Sequence, residues 1–343
     1  MGAPPFSLSR RFFKTLFPFS SFYSSFSTTT TSPPPPIRVA LTESVGRAVF
    51  ATRPIASGDL IHTASPAVCH PSAPGACYFC LANSGPRQPL TFCSQYCYRR
   101  SKCWGYYNVE MKENWVAFED YCRDNFMISL QRTHGLKYPL LVKRLACMVI
   151  SGDATSDTLD ILQPTNLTPE MVLEMEEGFL LLRNAFTKAL VADEHIAFLT
   201  KQWYINVLAR IRINAFRIEL AGGLYEDLLS SAVASVEAEA AVGNAVYILP
   251  SFYNHDCDPN VHIIWIDSAD AKLKALRDID EEQPTVASRI WLLHNVLHLL
   301  SHKICEELRI CYIDASLDRD ARRELLFRGF GFQCNCRRCL HGD

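Results

Sequence analysis

The 343-residue sequence predicts an α+β fold. Three observations carry that reading. Short apolar segments bounded by turn residues stand near both ends of the chain, where β-strands are expected. Between them runs a long stretch with the spacing of amphipathic helices. Two groups of closely spaced cysteines interrupt the pattern, one after the first strands and one at the carboxy terminus.

Taken in order, residues 1–36 read as a leader. They carry Arg10, Arg11 and Lys14, no Asp or Glu, many Ser and Thr, and a proline run at the end. That composition suggests a mitochondrial or chloroplast transit peptide; a disordered tail on a cytosolic or nuclear protein is the alternative. A strand is expected from Arg47 after Gly46, and another through Leu60, Ile61 and His62 after the turn at Gly58. Residues 69–105 read as a cysteine-bearing loop. Helices are expected over 108–130, 138–151, 169–191 and 193–216, with Thr168 as a cap and Pro169 in the first turn. Met171, Met175, Phe179 and Leu182 fall at helical spacing and are expected in the core. Strands return at 245–249, 261–266, 273–275 and 308–313, and a last helix at 316–326.

Net charge is −2. This gives no general drive toward polyanions, so sequence-specific nucleic-acid binding is not expected. The arginines from Arg319 to Arg338 read as a solvated face. No apolar run is long enough to cross a bilayer. No phosphate-binding loop, serine-hydrolase elbow or HExxH pattern appears in the required context.

Eight of the fourteen cysteines carry a metal reading. Cys77-x2-Cys80 and Cys93-x3-Cys97 present four thiols on two turns, the donor set of a tetrahedral structural zinc, with Gly75 and Gly85 suited to the turns. Close-spaced thiols without a secretory signal fit metal binding in a reducing compartment better than disulfides.

Chemistry becomes specific at Ser251-Phe-Tyr-Asn254-His255-Asp-Cys257-Asp-Pro259-Asn260. This segment resembles the NHxCxPN signature of SET-domain protein methyltransferases. Glu306-Glu307-Leu308-Arg309-Ile310-Cys311-Tyr312 resembles the second signature of that family, and Phe332-x-Cys334-x-Cys336-x2-Cys339 its post-SET cluster. Gly46-Arg47-Ala48 is similar to the glycine-rich opening motif, with Ala48 where a second glycine is usual. The first cysteine group resembles a truncated MYND finger. The chain is thus similar to the SET and MYND subfamily, in particular its short plant trithorax-related branch.

The resemblance implies a split SET fold of small curved sheets with a helical insert, an amino-terminal MYND-like zinc loop and a carboxy-terminal zinc clasp. It divides the chain into a first SET half at 37–68, a zinc insert at 69–105, a helical insert at 106–242, a second SET half at 243–318 and a post-SET region at 319–343. By the same resemblance, Tyr312 is the catalytic tyrosine. S-adenosylmethionine is then expected to be bound by Gly46, Arg47, Ala48, Asn254, His255 and Phe332, with Asn214 in a further cofactor-facing or channel-lining stretch. One zinc is expected on Cys77, Cys80, Cys93 and Cys97, and a second on Cys257, Cys334, Cys336 and Cys339. The implied substrate is a protein lysine, histone or non-histone, and the protein is expected to act as a monomer. A zinc-stabilised interaction module with a degenerate SET fold is the rival reading.

One segment departs from the pattern. Residues 282–305 stand where about one glycine is expected between the acidic turn and the strand before Tyr312. They read as an insertion helix or as a retained intron, the latter favoured. His294, His298 and His302 share one face there, without an evident fourth ligand.

Overall fold

A computed structural model describes residues 34–42, 46–73, 75–83, 92–101, 112–131, 138–221, 241–280 and 306–341, without the side chains of 112 and 124–131. The leader, Gly85, Cys103 and residues 282–305 therefore lie outside the described residues, apart from the leader's last three prolines. The chain divides at Pro35, and every element below belongs to the unit Pro36–Asp343.

The first sheet unites the two ends of the sequence. β1 (Ile37–Thr42) and β2 (Gly46–Ala51) pair antiparallel, from Ile37 opposite Ala51 to Thr42 opposite Gly46. Gly46 takes φ +75°, which glycine adopts without strain, and Thr42 donates to its carbonyl oxygen at 3.0 Å. β10 (Glu307–Ile310) pairs antiparallel with β2 and parallel with the two-residue β7 (Asn254–His255), giving the order β1-β2-β10-β7. The second sheet joins β3 (Leu60–Ala64), β9 (Ala271–Ala275) and β8 (Val261–Ile264). The third joins β4 (Val68–Pro71), β6 (Ala241–Val246) and β5 (Ala215–Glu219).

The expectation of curved sheets is corrected. The domain is α+β, but its strands hold two to six residues and are divided among three narrow sheets. Register shifts occur only between Leu60 and His62 and between Ile218 and Glu219 among the described pairings. Sheets this short and narrow offer no extended surface along which bulges would accumulate into a curve.

The helical part comprises α1 (Gln95–Arg100), α2 (Lys112–Gln131), α3 (Pro139–Ile150), α4 (Pro169–Lys188) and α5 (Lys201–Asn214). Thr168 caps α4 as expected, accepting from the Met171 N–H at 3.4 Å with Pro169 in the first turn. Met171, Met175, Leu182 and Phe186 form its buried face against α5, whose Tyr204, Leu208 and Ile211 are equally buried. A methyl group on Gly178 would stand 2.5 Å from the Tyr204 hydroxyl oxygen and 2.8 Å from the Tyr121 ring, so only glycine allows this approach. The continuous helix expected over 193–216 is instead a 3-10 turn (Asp193–Ile196), then α5 capped by Thr200, then β5. Thr200 accepts from the Trp203 N–H at 3.1 Å, which starts a new helix there. The last helices are α6 (Arg319–Phe330), capped by Asp318 and ended by Gly331 at φ +81°, and α7 (Arg337–His341). No helix among the described residues is long and apolar enough to cross a membrane.

Candidate active site

The segment before β7 is a 3-10 turn (Pro250–Phe252), which delivers Tyr253 into the core with none of its surface exposed. Pairing with β10 then sets Asn254 opposite Arg309 and His255 opposite Ile310. The Asn254 side-chain amide donates to the Arg47 carbonyl oxygen at 3.3 Å and to Glu307 Oε1 at 2.8 Å. Asn260 closes the same junction, donating to Glu306 Oε1 and the Glu307 carbonyl oxygen while its Oδ1 accepts from the Arg309 N–H at 2.8 Å. Arg309 in turn pairs with Glu307 at 2.6 Å and Asp256 at 3.2 Å.

Tyr312 lies just past the end of β10. Its hydroxyl donates to the Tyr253 carbonyl oxygen at 2.5 Å, and its N–H donates to His255 Nδ1 at 3.1 Å. That second bond makes Nδ1 an acceptor, so in the neutral ring the proton sits on Nε2, which faces Cys257 Sγ at 3.3 Å. Burial lowers His255 to about 4 and raises the Tyr312 phenol above its ordinary range, so both are neutral at physiological pH. Phe332 stands 6.0 Å from the His255 ring and 6.5 Å from that of Tyr312, centroid to centroid.

Gly46, Arg47, Ala48, Asn254, His255, Tyr312 and Phe332 are thus gathered at one junction. Ala48 lies fully buried within β2, where ordinary strand angles accept a methyl group. Asn214 is placed differently: its amide donates to the carbonyl oxygens of Gln163 and Arg210 at the end of α5. Two residues further on, Phe216 packs edge-on against Tyr247 and near Trp265.

The described residues flanking 281–305 lie close together. Ile279 exchanges backbone hydrogen bonds with Ile55, and Arg277 is paired with Glu306 across the interval. The described residues on the two sides of the interval are thus held together at the edge of β10.

Both cysteine groups converge. In the first, Cys77, Cys80, Cys93 and Cys97 lie with their sulfurs within 4.8 Å of one another; in the second the same holds for Cys257, Cys334, Cys336 and Cys339. Sulfurs at about 2.3 Å around a tetrahedral zinc stand about 3.8 Å apart. The separations here are 3.5 to 3.7 Å in the first group, and 3.6 and 3.9 Å from Cys257 to Cys339 and Cys334. Burial pushes the Cys257 thiol up, and Cys334 to about 12, so a cation among them would favour their thiolate forms. The donor sets fit zinc. Among the described residues, no His, Asp or Glu joins either group.

Several contributors carry little or no signal in the sequence. Glu307 and Asn260 lie inside the recognisable motifs, yet their bracing role shows only in the folded chain. His62, whose Nε2 is 2.9 Å from the Tyr253 hydroxyl, lies 191 residues away in sequence with no local signal to find it.

A split α+β domain whose early glycine strand and late Asn-His strand both pair with the strand that ends just before Tyr312 defines a class of protein. The chain belongs to the SET-domain family: the SET domain model matches residues 46–284. Among curated proteins it is 53% identical over 316 residues to the histone-lysine N-methyltransferase ATXR4 of Arabidopsis thaliana, covering 90% of this chain and 87% of that protein. It is 24% identical over 210 residues to a SET and MYND domain-containing protein of Dictyostelium discoideum, covering 60% and 52%. With the human histone-lysine N-methyltransferase SMYD3 it shares 32% identity over 102 residues, 30% of this chain and 18% of that one.

Proposed function

We propose that this chain is an S-adenosylmethionine-dependent protein-lysine N-methyltransferase with Tyr312 as its catalytic hydroxyl. The observation that carries the reading is the β7–β10 pairing, which brings Asn254 and His255 against the segment ending in Tyr312 while β2 supplies Gly46, Arg47 and Ala48 alongside. Among the described residues beyond its chain neighbours, no atom lies within 4 Å of the position a Gly46 Cβ would take, which suits close approach of a ligand to the backbone. We assign cofactor contact to these residues and to Phe332, and a place in the wall near Phe216 to Asn214.

The cofactor supplies a methyl group already activated by its sulfonium. The protein's task is then alignment and electrostatics rather than generation of a strong acid or base. The substrate nitrogen must be neutral to form its bond to carbon as the carbon–sulfur bond breaks, and free lysine has a pKa of about 10.4. Tyr312 cannot take that proton, because its phenol is itself held protonated by burial. We assign removal of the proton to solvent before the amine enters, and the Tyr312 oxygen, held by its bond to Tyr253, orients the neutral amine. With four cysteines each, the two zinc sites would have no position open to the substrate.

Ala48 without strain and a closed base to the 281–305 segment favour an active enzyme over a degenerate interaction module. The Arabidopsis relative's name makes histone lysine the first substrate to test; the leader composition supports a non-histone target in a mitochondrion or chloroplast, against a nuclear alternative. Localising the chain with and without residues 1–36 separates the two: organellar import that depends on the leader is expected, and nuclear accumulation of the full chain would contradict it.

A further inference from the structure

The two cysteine groups differ in their surroundings. In the first, Cys93 is exposed and Cys80 half-buried, and the sulfurs bond to one another and to Ser94. Cys77 and Cys97 are buried, so water reaches that group from the Cys93 side. In the second, Cys257, Cys334, Cys336 and Cys339 all have less than a tenth of their surface exposed. Four thiolates around a zinc ion carry a formal charge of two minus. Holding such a charge away from water is costly unless positive charge stands beside it.

Two arginines stand there. Arg322, projecting from α6, is 1% exposed, among the most completely buried side chains of the described residues. Its guanidinium donates to the Leu317 carbonyl oxygen at 2.6 Å, and against the cost of its burial the nearby Cys339 and Cys257 side chains favour its charged form. Arg338 on α7 donates to the carbonyl oxygens of Cys257 at 3.0 Å and Ala315 at 3.2 Å. Their two positive charges equal the deficit of the cluster.

We propose that Arg322 and Arg338 are a charge-balancing outer shell of the second zinc centre, Arg322 through the ligand Cys339 and Arg338 through the backbone of the ligand Cys257. The proposal rests on the zinc reading of that cluster. It makes the two zinc sites unequal: the fully buried one depends on Arg322 and Arg338, and the partly exposed one does not. Because Arg338 also holds Ala315, three residues beyond Tyr312, the same shell ties the clasp to the segment that carries the catalytic hydroxyl.

The test is competition of the full chain's zinc against a chromophoric chelator, in the unaltered protein and in Arg322→Met, Arg322→Lys and Arg338→Met. Two zincs per chain are expected in the unaltered protein. Arg322→Met should weaken one of them by about 10–100-fold and leave the other unchanged, in the range usual for loss of an outer-shell partner. Arg322→Lys, which keeps the charge, should recover most of that loss, and Arg338→Met should weaken the same site by a smaller factor. Native affinity in Arg322→Met, or a lysine variant as weak as the methionine one, would overturn the proposal. If Arg322→Met does not fold, Arg338→Met decides: native affinity for both zincs there overturns it. Fewer than two zincs in the unaltered chain defeats the zinc reading itself, and is recognised before any variant is compared.

Discussion

At the scale of single residues, the site is a chain of short hydrogen bonds running from the core to Tyr312. His62 faces the Tyr253 hydroxyl at 2.9 Å, the Tyr253 carbonyl oxygen accepts from Tyr312, and the Tyr312 N–H is received by His255. Removing only the hydroxyl, in Tyr312→Phe, is expected to lower methyl transfer by roughly 100-fold or more, the range seen when one preorganised polar group at a reacting centre is lost. Cofactor affinity, read by calorimetry, should stay near native, because the ring and the His255 bond remain. Burial also lowers His62 from 6.5 to about 4. Between those values the unfolded chain binds a proton that the folded chain refuses, so this group's contribution to stability falls as pH drops from about 6.5 toward 4. His62→Gln, which does not titrate but can still meet the Tyr253 hydroxyl, is expected to flatten that part of the melting-temperature profile; an unchanged slope would remove His62 from the account.

At the scale of elements, the sequence is legible where a segment carries its own local signal. Thr168-Pro169 opens α4, and the apolar spacing of Met171, Met175 and Leu182 places its inner face. The illegible elements are decided at long range: β5 is a strand because β6 pairs with it, and the two-residue β7 exists only against β10. The candidate residues near Asn254 and Tyr312 are legible because both sit in compact motifs, whereas His62 and the bracing role of Glu307 depend on partners remote in sequence. Gly178 gives an element-scale test. Alanine is favoured over glycine in a helix by about 1 kcal/mol, but overpacking costs about 1–3 kcal/mol. With Tyr204 and Tyr121 both closer than 3.0 Å to the added methyl, Gly178→Ala is expected to destabilise the fold in denaturant titration. A stabilised variant would mean that α4, α2 and α5 yield more readily than their packing implies. The interval between Asp280 and Glu306 gives another. Since Arg277 meets Glu306 at its base, replacing residues 282–305 by a short glycine turn should leave methyl transfer within about threefold, loop length itself costing little; loss of activity would show that the interval carries part of the site.

For the whole molecule, the two halves of the sequence form one catalytic unit because β2 and β7 both pair with β10, while the cysteine groups pin loops on either side of the helical part. Cys257 belongs to both systems, lying two residues past His255 and within the second cysteine group. The central claim is methyl transfer to lysine at this junction. It is tested most directly by incubating the zinc-loaded full chain with methyl-labelled S-adenosylmethionine and a panel of histone and non-histone proteins, then locating the label by mass spectrometry. Label on a lysine nitrogen, absent with Tyr312→Phe, is the expected result; bound cofactor and two zincs with no labelled lysine in any protein of the panel would contradict it.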